Sequence, residues 1–255
     1  MTSSIEPALR VRNLTKRFGE KIAVAGIDLE VPTGSFFGLV GPNGAGKTTT
    51  LSMATGLLRP DAGEVSVHGI DLWQAPADAK RIIGNLADGV RLFDRLTGEQ
   101  LITYTAMMFG IARPEIAERV ADLLEMMDLR EAAGTVVADY SAGMTKKVAL
   151  ACALVHAPRL LVLDEPFESV DPVSAANIED VLRGYTASGG SVVVSSHSMD
   201  LVQRMCDHVA ILAAGRVLAA GTVDEVRAGA SLQDRFLSLV GGRHDGRGPA
   251  WLRQS

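Results

Sequence analysis

Phe36-Phe37-Gly38-Leu39-Val40-Gly41-Pro42-Asn43-Gly44-Ala45-Gly46-Lys47-Thr48-Thr49 decides how this chain reads. Phe36, Phe37, Leu39 and Val40 form the short apolar run that a buried strand presents. Gly41 to Thr48 follows at once and fits G-x-x-x-x-G-K-[ST], a loop that cradles phosphate. Its glycines lack a Cβ, so the backbone can turn tightly and bring N–H groups up to phosphate oxygens. Lys47 supplies a point charge for the β- and γ-phosphates. Thr48 offers a hydroxyl to Mg²⁺, a hard cation that takes oxygen ligands. A helix opening near Lys47 would aim roughly half a positive charge at the same anion.

Composition sets the outer limits. Of 255 residues, 47% are hydrophobic and 22% charged, which is a globular balance. The net charge of −5 and pI near 5.6 give no basic footprint, so nucleic acid is not an expected partner. Cys152 and Cys206 sit among apolar neighbours and read as buried free thiols. Met1 to Pro7 has no apolar run, so no secretory signal is expected. The most apolar segment, Val148 to Leu163, is broken by His156, Pro158 and Arg159 and is shorter than the ~20 residues that span a bilayer. The mean hydropathy of +0.18 leaves room for apolar surface buried against a partner.

Outward from the loop, the first third is mainly strands. Leu9 to Leu14 and Ile22 to Val31 alternate like half-buried strands, with Thr15 to Gly19 read as a turn. The helix after the loop is expected to reach about Leu58, and Glu64 to Gly69 and Ile82 to Leu86 read as short strands. Then the character changes. Thr97 to Gln100 opens a helix with Leu101, Ile102, Tyr104, Thr105, Met108 and Phe109 at helical spacing, and Pro114 begins another. Met107, Met108, Met126 and Met127 read as core filler, the alternative being an adaptable partner surface. Strands are expected at Arg159 to Leu163 and Ser191 to Ser195, helices at Asp171 to Tyr185 and Met199 to Met205, and a hairpin around Ala214-Gly215. Thr222 caps a short helix, Leu232 to Val240 is a last helical piece, and the tail has no periodicity.

Leu160-Leu161-Val162-Leu163-Asp164-Glu165-Pro166 carries the second piece of chemistry. Four apolar residues make a central strand and deliver two carboxylates at its C-terminal end, where open α/β sheets bind ligands. Asp164 can hold Mg²⁺, and Glu165 can orient and deprotonate an attacking water. Between the two motifs, Ser141 fits the N-cap of a helix whose N–H groups form a second anion site.

In order and spacing, these segments resemble the nucleotide-binding subunit of an ATP-binding-cassette transporter, over roughly Leu9 to Val226. The resemblance rests on Gly41 to Thr49, Ser141-Ala142-Gly143-Met144, Leu163-Asp164-Glu165-Pro166, Ser169-Val170-Asp171 and Ser196-His197. It implies an α/β fold: a P-loop NTPase core of RecA-like type, with an antiparallel β subdomain and an inserted α-helical subdomain. It implies an ATP-binding domain over 1–228 with helices inserted at roughly 88–148, a C-terminal helix over 229–242 and a disordered tail over 243–255. Gly41, Pro42, Asn43, Gly44, Ala45, Gly46, Lys47, Thr48 and Thr49 would bind ATP, and Phe18 would stack on adenine. Ser141, Ala142, Gly143 and Met144 match the signature loop, which in the family contacts the γ-phosphate held by the opposite subunit. Ser169 and Asp171 belong to the loop linking the two sites. Glu165 and His197 would be catalytic, with Thr48 and Asp164 holding Mg²⁺.

Three departures from the family pattern stand out. The usual Leu-Ser-Gly-Gly-Gln is Tyr140-Ser141-Ala142-Gly143-Met144, where Ala142 adds a methyl in a tight place and Met144 resembles an exporting branch. The lid glutamine position holds Asp88, expected to replace it as a Mg²⁺ or water contact. Phe167 stands for the usual Thr, and Ser169-Val170-Asp171 for Gly-Leu-Asp. The resemblance implies ATP and Mg²⁺ as cofactors, a separate transmembrane permease, a second ATP-binding subunit (identical or a paralogue) and a peripheral place on the cytoplasmic face of the membrane. The helical insert, from Asp88 to about Thr135, would dock the permease. Two rivals are a soluble cassette ATPase acting on ribosomes or DNA and a binding module without turnover. The first needs two cassettes or long coiled coils, which this length lacks; Glu165 and His197 argue against the second.

Overall fold

The computed structural model describes residues 6–89 and 91–240. The expected tail over 243–255 and the end of the expected C-terminal helix lie outside these residues.

Two sheets organise the chain. The larger has six strands in the order β10-β9-β3-β8-β7-β6. Here β3 is Phe36–Val40, β6 Ile83–Leu86, β7 Leu160–Leu163, β8 Ser191–Ser196, β9 His208–Ala213 and β10 Arg216–Thr222. Strands β6, β7, β8, β3 and β9 run parallel; β10 returns antiparallel at the edge. Parallel strands covered on both faces are apolar throughout, and every residue of β3, β7 and β8 is buried. The smaller sheet is antiparallel, in the order β2-β1-β4-β5, with β1 Leu9–Phe18, β2 Lys21–Val31, β4 Ala62–Val67 and β5 Ile70–Asp71.

The period-two alternation of the central strands divides the core into two layers. Phe37, Leu39, Leu160, Val162 and Val193 point to one side and pack with the antiparallel sheet and with Leu51, Met53 and Ala54 of α1 (Lys47–Ala54). Phe36, Val40, Leu161, Leu163, Val192 and Val194 point to the other side. There they meet α3 (Gly98–Met108), α4 (Arg113–Met126), α5 (Ala142–Leu154), α6 (Pro172–Ala187) and α7 (Met199–Met205). The order along the chain is completed by α2 (Pro76–Arg81), α8 (Val223–Arg227) and α9 (Leu232–Leu239). Among the described residues no helix is long and apolar enough to cross a membrane.

Local signals set most boundaries. Thr97 and Gln100 form a reciprocal capping box at α3, and Thr222 with Glu225 forms another at α8. Four expectations need correction. Thr15 to Phe18 is strand, not turn: β1 stays paired with β2 to Phe18↔Lys21, and register shifts around Leu14 and Lys16 break the alternation that would have revealed it. Helix α1 stops at Ala54 rather than near Leu58, because Gly56 takes a left-handed φ of 72° just past its end. Met127 alone of the four methionines is core; Met107, Met108 and Met126 lie exposed, Met108 to 70%. Both cysteines are free, but only Cys206 is buried; Cys152 is half-buried. Burial still pushes the Cys152 thiol up to about 11. Strand β5 and helix α2 carry no signal that the sequence reading used.

Candidate functional site

The C-terminal ends of β3, β7 and β8 lie side by side, because the three strands are parallel neighbours. They therefore deliver Gly41, Asp164-Glu165 and His197 to the same edge of the sheet, the edge where open α/β sheets bind ligands. Gly41 N–H donates to the Ser196 carbonyl at 3.4 Å, which ties the loop to the neighbouring strand end.

The loop from Gly41 to Gly46 ends at the N-terminus of α1, where Gly46 takes φ 103°. An L side chain there is strained, and a Cβ would also lie 2.6 Å from the Ala23 carbonyl. Lys47 is only 6% exposed. Its ammonium donates to the Gly41 carbonyl at 2.8 Å and the Pro42 carbonyl at 3.4 Å, and pairs with Glu165 Oε1 at 3.4 Å. The loop from Asn43 to Thr49 lines a cavity of about 450 Å³, walled by Phe18, Lys21, Asp88, Glu165, Glu168 and His197. Phe18 is half-exposed at its rim, with Lys16 Nζ 5.9 Å from the ring centroid. An aromatic face there can stack on a base.

Glu165 is held from several sides. Its backbone has φ 46°, a left-handed conformation that non-glycine residues adopt at a cost of about 1–3 kcal/mol. Its N–H donates to Ser195 Oγ at 2.9 Å. Its carboxylate meets Lys47 on one oxygen and His197 Nδ1 at 3.1 Å on the other. Asp164 is 4% exposed and accepts a hydrogen bond from Ser195 Oγ. Ser195 thus bridges both acids. The sequence reading did not single it out, although a serine closing an apolar β-branched run two residues before His197 was the available signal.

The oxygen donors present suit Mg²⁺. Among the described residues no group of three or more His, Cys, Asp or Glu side chains could hold a metal by itself. Mg²⁺, however, is typically held by one or two carboxylates and phosphate oxygens rather than by an all-protein cage. Thr48 and Asp88 line the cavity, and Asp164, next in sequence to the lining Glu165, is buried with Ser195 Oγ on one carboxylate oxygen.

The signature residues do not join this cavity. Ser141 caps α5, accepting from Met144 N–H at 3.2 Å. Ser141 and Ala142 are exposed and Met144 packs on the core. Ala142 is exposed in the single chain, and at Gly143 a Cβ would lie 2.6 Å from Ser174 Oγ and 2.8 Å from Asp171 Oδ2. Asp171 caps α6, and the Ser174 hydrogen bonds, with those from Val173, hold its carboxyl below the usual range. Ala142, Lys146, Ser169, Asp88 and Glu168 line a second cavity of about 350 Å³. Asp88 and Glu168 stand in the wall between the two. The chain therefore presents the phosphate loop and the start of α5 at two neighbouring cavities that share the Asp88 and Glu168 wall.

The chain is similar to known proteins over most of its length. The family model described as ABC transporter matches residues 24–168. The linearmycin resistance ATP-binding protein LnrL of Bacillus subtilis (strain 168) is 36% identical over 214 residues, 84% of this chain and 69% of that protein. The Nod factor export ATP-binding protein I of Cupriavidus metallidurans (strain CH34) is 35% identical over 218 residues, 86% of this chain and 72% of that protein. A solved ATP-binding subunit of an ABC transporter superposes with a TM-score of 0.85 at 31% identity, covering 91% of this chain and 99% of that one.

Proposed function

The chain belongs to the ABC transporter family, as an ATP-binding and ATP-hydrolysing subunit, and on that premise we propose that it drives export through a separate transmembrane permease. One observation carries the reading: each chain presents two half-sites, a phosphate-loop cavity containing Glu165 and His197, and the start of α5, where Ser141 and Ala142 are exposed outside that cavity. Two subunits, identical or paralogous, meet head to tail, so that the signature of one closes over ATP held by the other. Gly41 to Thr49 hold the phosphates and Phe18 the base. Glu165 takes the proton of the attacking water, and His197 orients Glu165 and contacts the γ-phosphate. Mg²⁺, held by Thr48 and Asp164 together with phosphate oxygens, would neutralise charge developing on the phosphates. Ser169 and Asp171 relay the state of one site to the other. Export is the direction named for the Nod factor relatives.

The permease side is assigned to the helical insert. Tyr104, Met107 and Met108 fall at helical spacing on α3, with Phe93 edge-on to Tyr104 at 5.5 Å and Phe109 beside them, all exposed. Adaptable methionines beside aromatics suit a membrane-protein partner, which supports a peripheral position for the chain, on our reading at the cytoplasmic face of the membrane. In detergent-solubilised membranes a polytopic membrane protein should co-purify with the chain. A Met107→Glu/Met108→Glu variant should recover about tenfold less of it, with the ATPase of the isolated subunit unchanged. Recovery of the wild-type chain wholly in the soluble fraction, without a membrane protein, would favour a soluble ATPase instead.

Asp88, in the wall between the cavities, is proposed as the Mg²⁺ or water contact that replaces a glutamine. Asp88→Ala should slow ATP hydrolysis by about tenfold and raise the Mg²⁺ concentration for half-maximal rate. Unaltered rate and unaltered Mg²⁺ titration would remove Asp88 from the site.

A further inference from the structure

Lys146 lies one turn inside α5, five residues beyond Ser141 on the helix that carries the signature face. Its ammonium donates to the carbonyl oxygen of Glu165 at 3.1 Å. That carbonyl already accepts the N–H of Glu168 at 3.2 Å, so the turn does not need Lys146 to satisfy it. Among the described residues, no carboxylate lies within ion-pair distance of Lys146, and its hydrogen bond goes to Glu165 alone. Glu165 is thus gripped at both backbone polar groups by side chains of other elements: its N–H by Ser195 of β8 and its carbonyl by Lys146 of α5. With φ at 46°, its conformation depends on such outside support.

We propose that Lys146 is a positioning residue, tying the helix that begins at the signature to the backbone of Glu165 in the same chain. The inference rests on the reading of Glu165 as the base and of Ser141–Met144 as the face that meets nucleotide on the opposite subunit. A helix is stiff over one turn, about 5.4 Å of its axis. A displacement at Ser141 is therefore passed to the Glu165 carbonyl. Closure over one ATP then aligns the base at the other.

The test uses the full chain with Lys146→Met, which keeps the stem and removes the donor, and Lys146→Arg, which restores one. For Lys146→Met we expect kcat to fall about 10–100-fold, the scale of a small misplacement of a reacting group. The KM for ATP should stay within about twofold and the melting temperature within ~2 °C; these bounds follow from an unchanged phosphate cavity and from a half-buried stem that methionine keeps. Lys146→Arg should return kcat to within about threefold of wild type, since it restores the charge-assisted donor. Wild-type kcat in Lys146→Met, loss that tracks a fall in melting temperature, a parallel rise in KM, or no rescue by arginine would each overturn the proposal. Glu165→Gln is assayed alongside. If it is inactive while Lys146→Met turns over normally, only the Lys146 link fails; if Glu165→Gln itself turns over, the reading of Glu165 fails.

Discussion

Glu165→Gln is expected to lower ATP turnover by about 10²–10⁴-fold, the usual contribution of a positioned base, while ATP binding survives. The substitution keeps the volume of the side chain and its place between Lys47 and His197, but removes the basicity that takes a proton from water. Binding should even improve, because Lys47 pairs with Glu165 at 3.4 Å and an uncharged amide no longer competes with phosphate for it. The two half-sites can then close without reopening by hydrolysis. A species of twice the subunit mass should accumulate with ATP in size-exclusion chromatography and disappear when ATP is omitted. A Glu165→Gln chain that stays monomeric and hydrolyses at the wild-type rate would contradict the proposed mechanism.

Lys47→Ala should act one step earlier, at binding. Lys47 is buried at the head of α1 with its ammonium aimed at the loop carbonyls of Gly41 and Pro42, in the space where phosphate oxygens would replace them. Hydrogen bonds to charged groups are worth about 1.5–3 kcal/mol each, so losing contacts to two phosphates should weaken ATP binding by at least ~10²-fold. Titration calorimetry or a fluorescent nucleotide would measure it. Lys47→Arg should not restore affinity, because the loop encloses a compact point charge and a planar fork does not fit there. Near-normal affinity in Lys47→Ala would mean that the backbone N–H groups and the helix terminus hold the phosphates without the lysine.

How much of this was legible beforehand follows from how local each signal is. The phosphate loop, the two acids after β7 and the caps at Ser141 and Thr222 are each written within about ten residues, and the structure puts the loop and the acids at one sheet edge and both caps at helix starts. The antiparallel extension of β1 to Phe18 was hidden because register shifts interrupt its period of two. The exposure of Met107, Met108 and Met126 was hidden because an apolar residue at helical spacing does not say which face is covered. Ser195 and Lys146 act on residues 30 and 19 positions away in the chain; no local pattern marks them, and only the sheet order brings them to Glu165. The close approach at Gly143 was hidden in the same way, since the neighbour that sets it, Ser174, belongs to a different helix.

Strand β3 has one further consequence, for synthesis on the ribosome. Its two partners in the sheet, β8 and β9, begin at Ser191 and His208, so Phe36 and Phe37 wait more than 150 residues for the strands they pair with. At about 5–20 residues per second, the five apolar residues before the phosphate loop stay without their sheet neighbours for roughly 10–30 s of every round of translation. The nascent chain is therefore most prone to aggregate in that interval, and premature termination anywhere before β8 leaves the nucleotide loop attached to an unpaired strand.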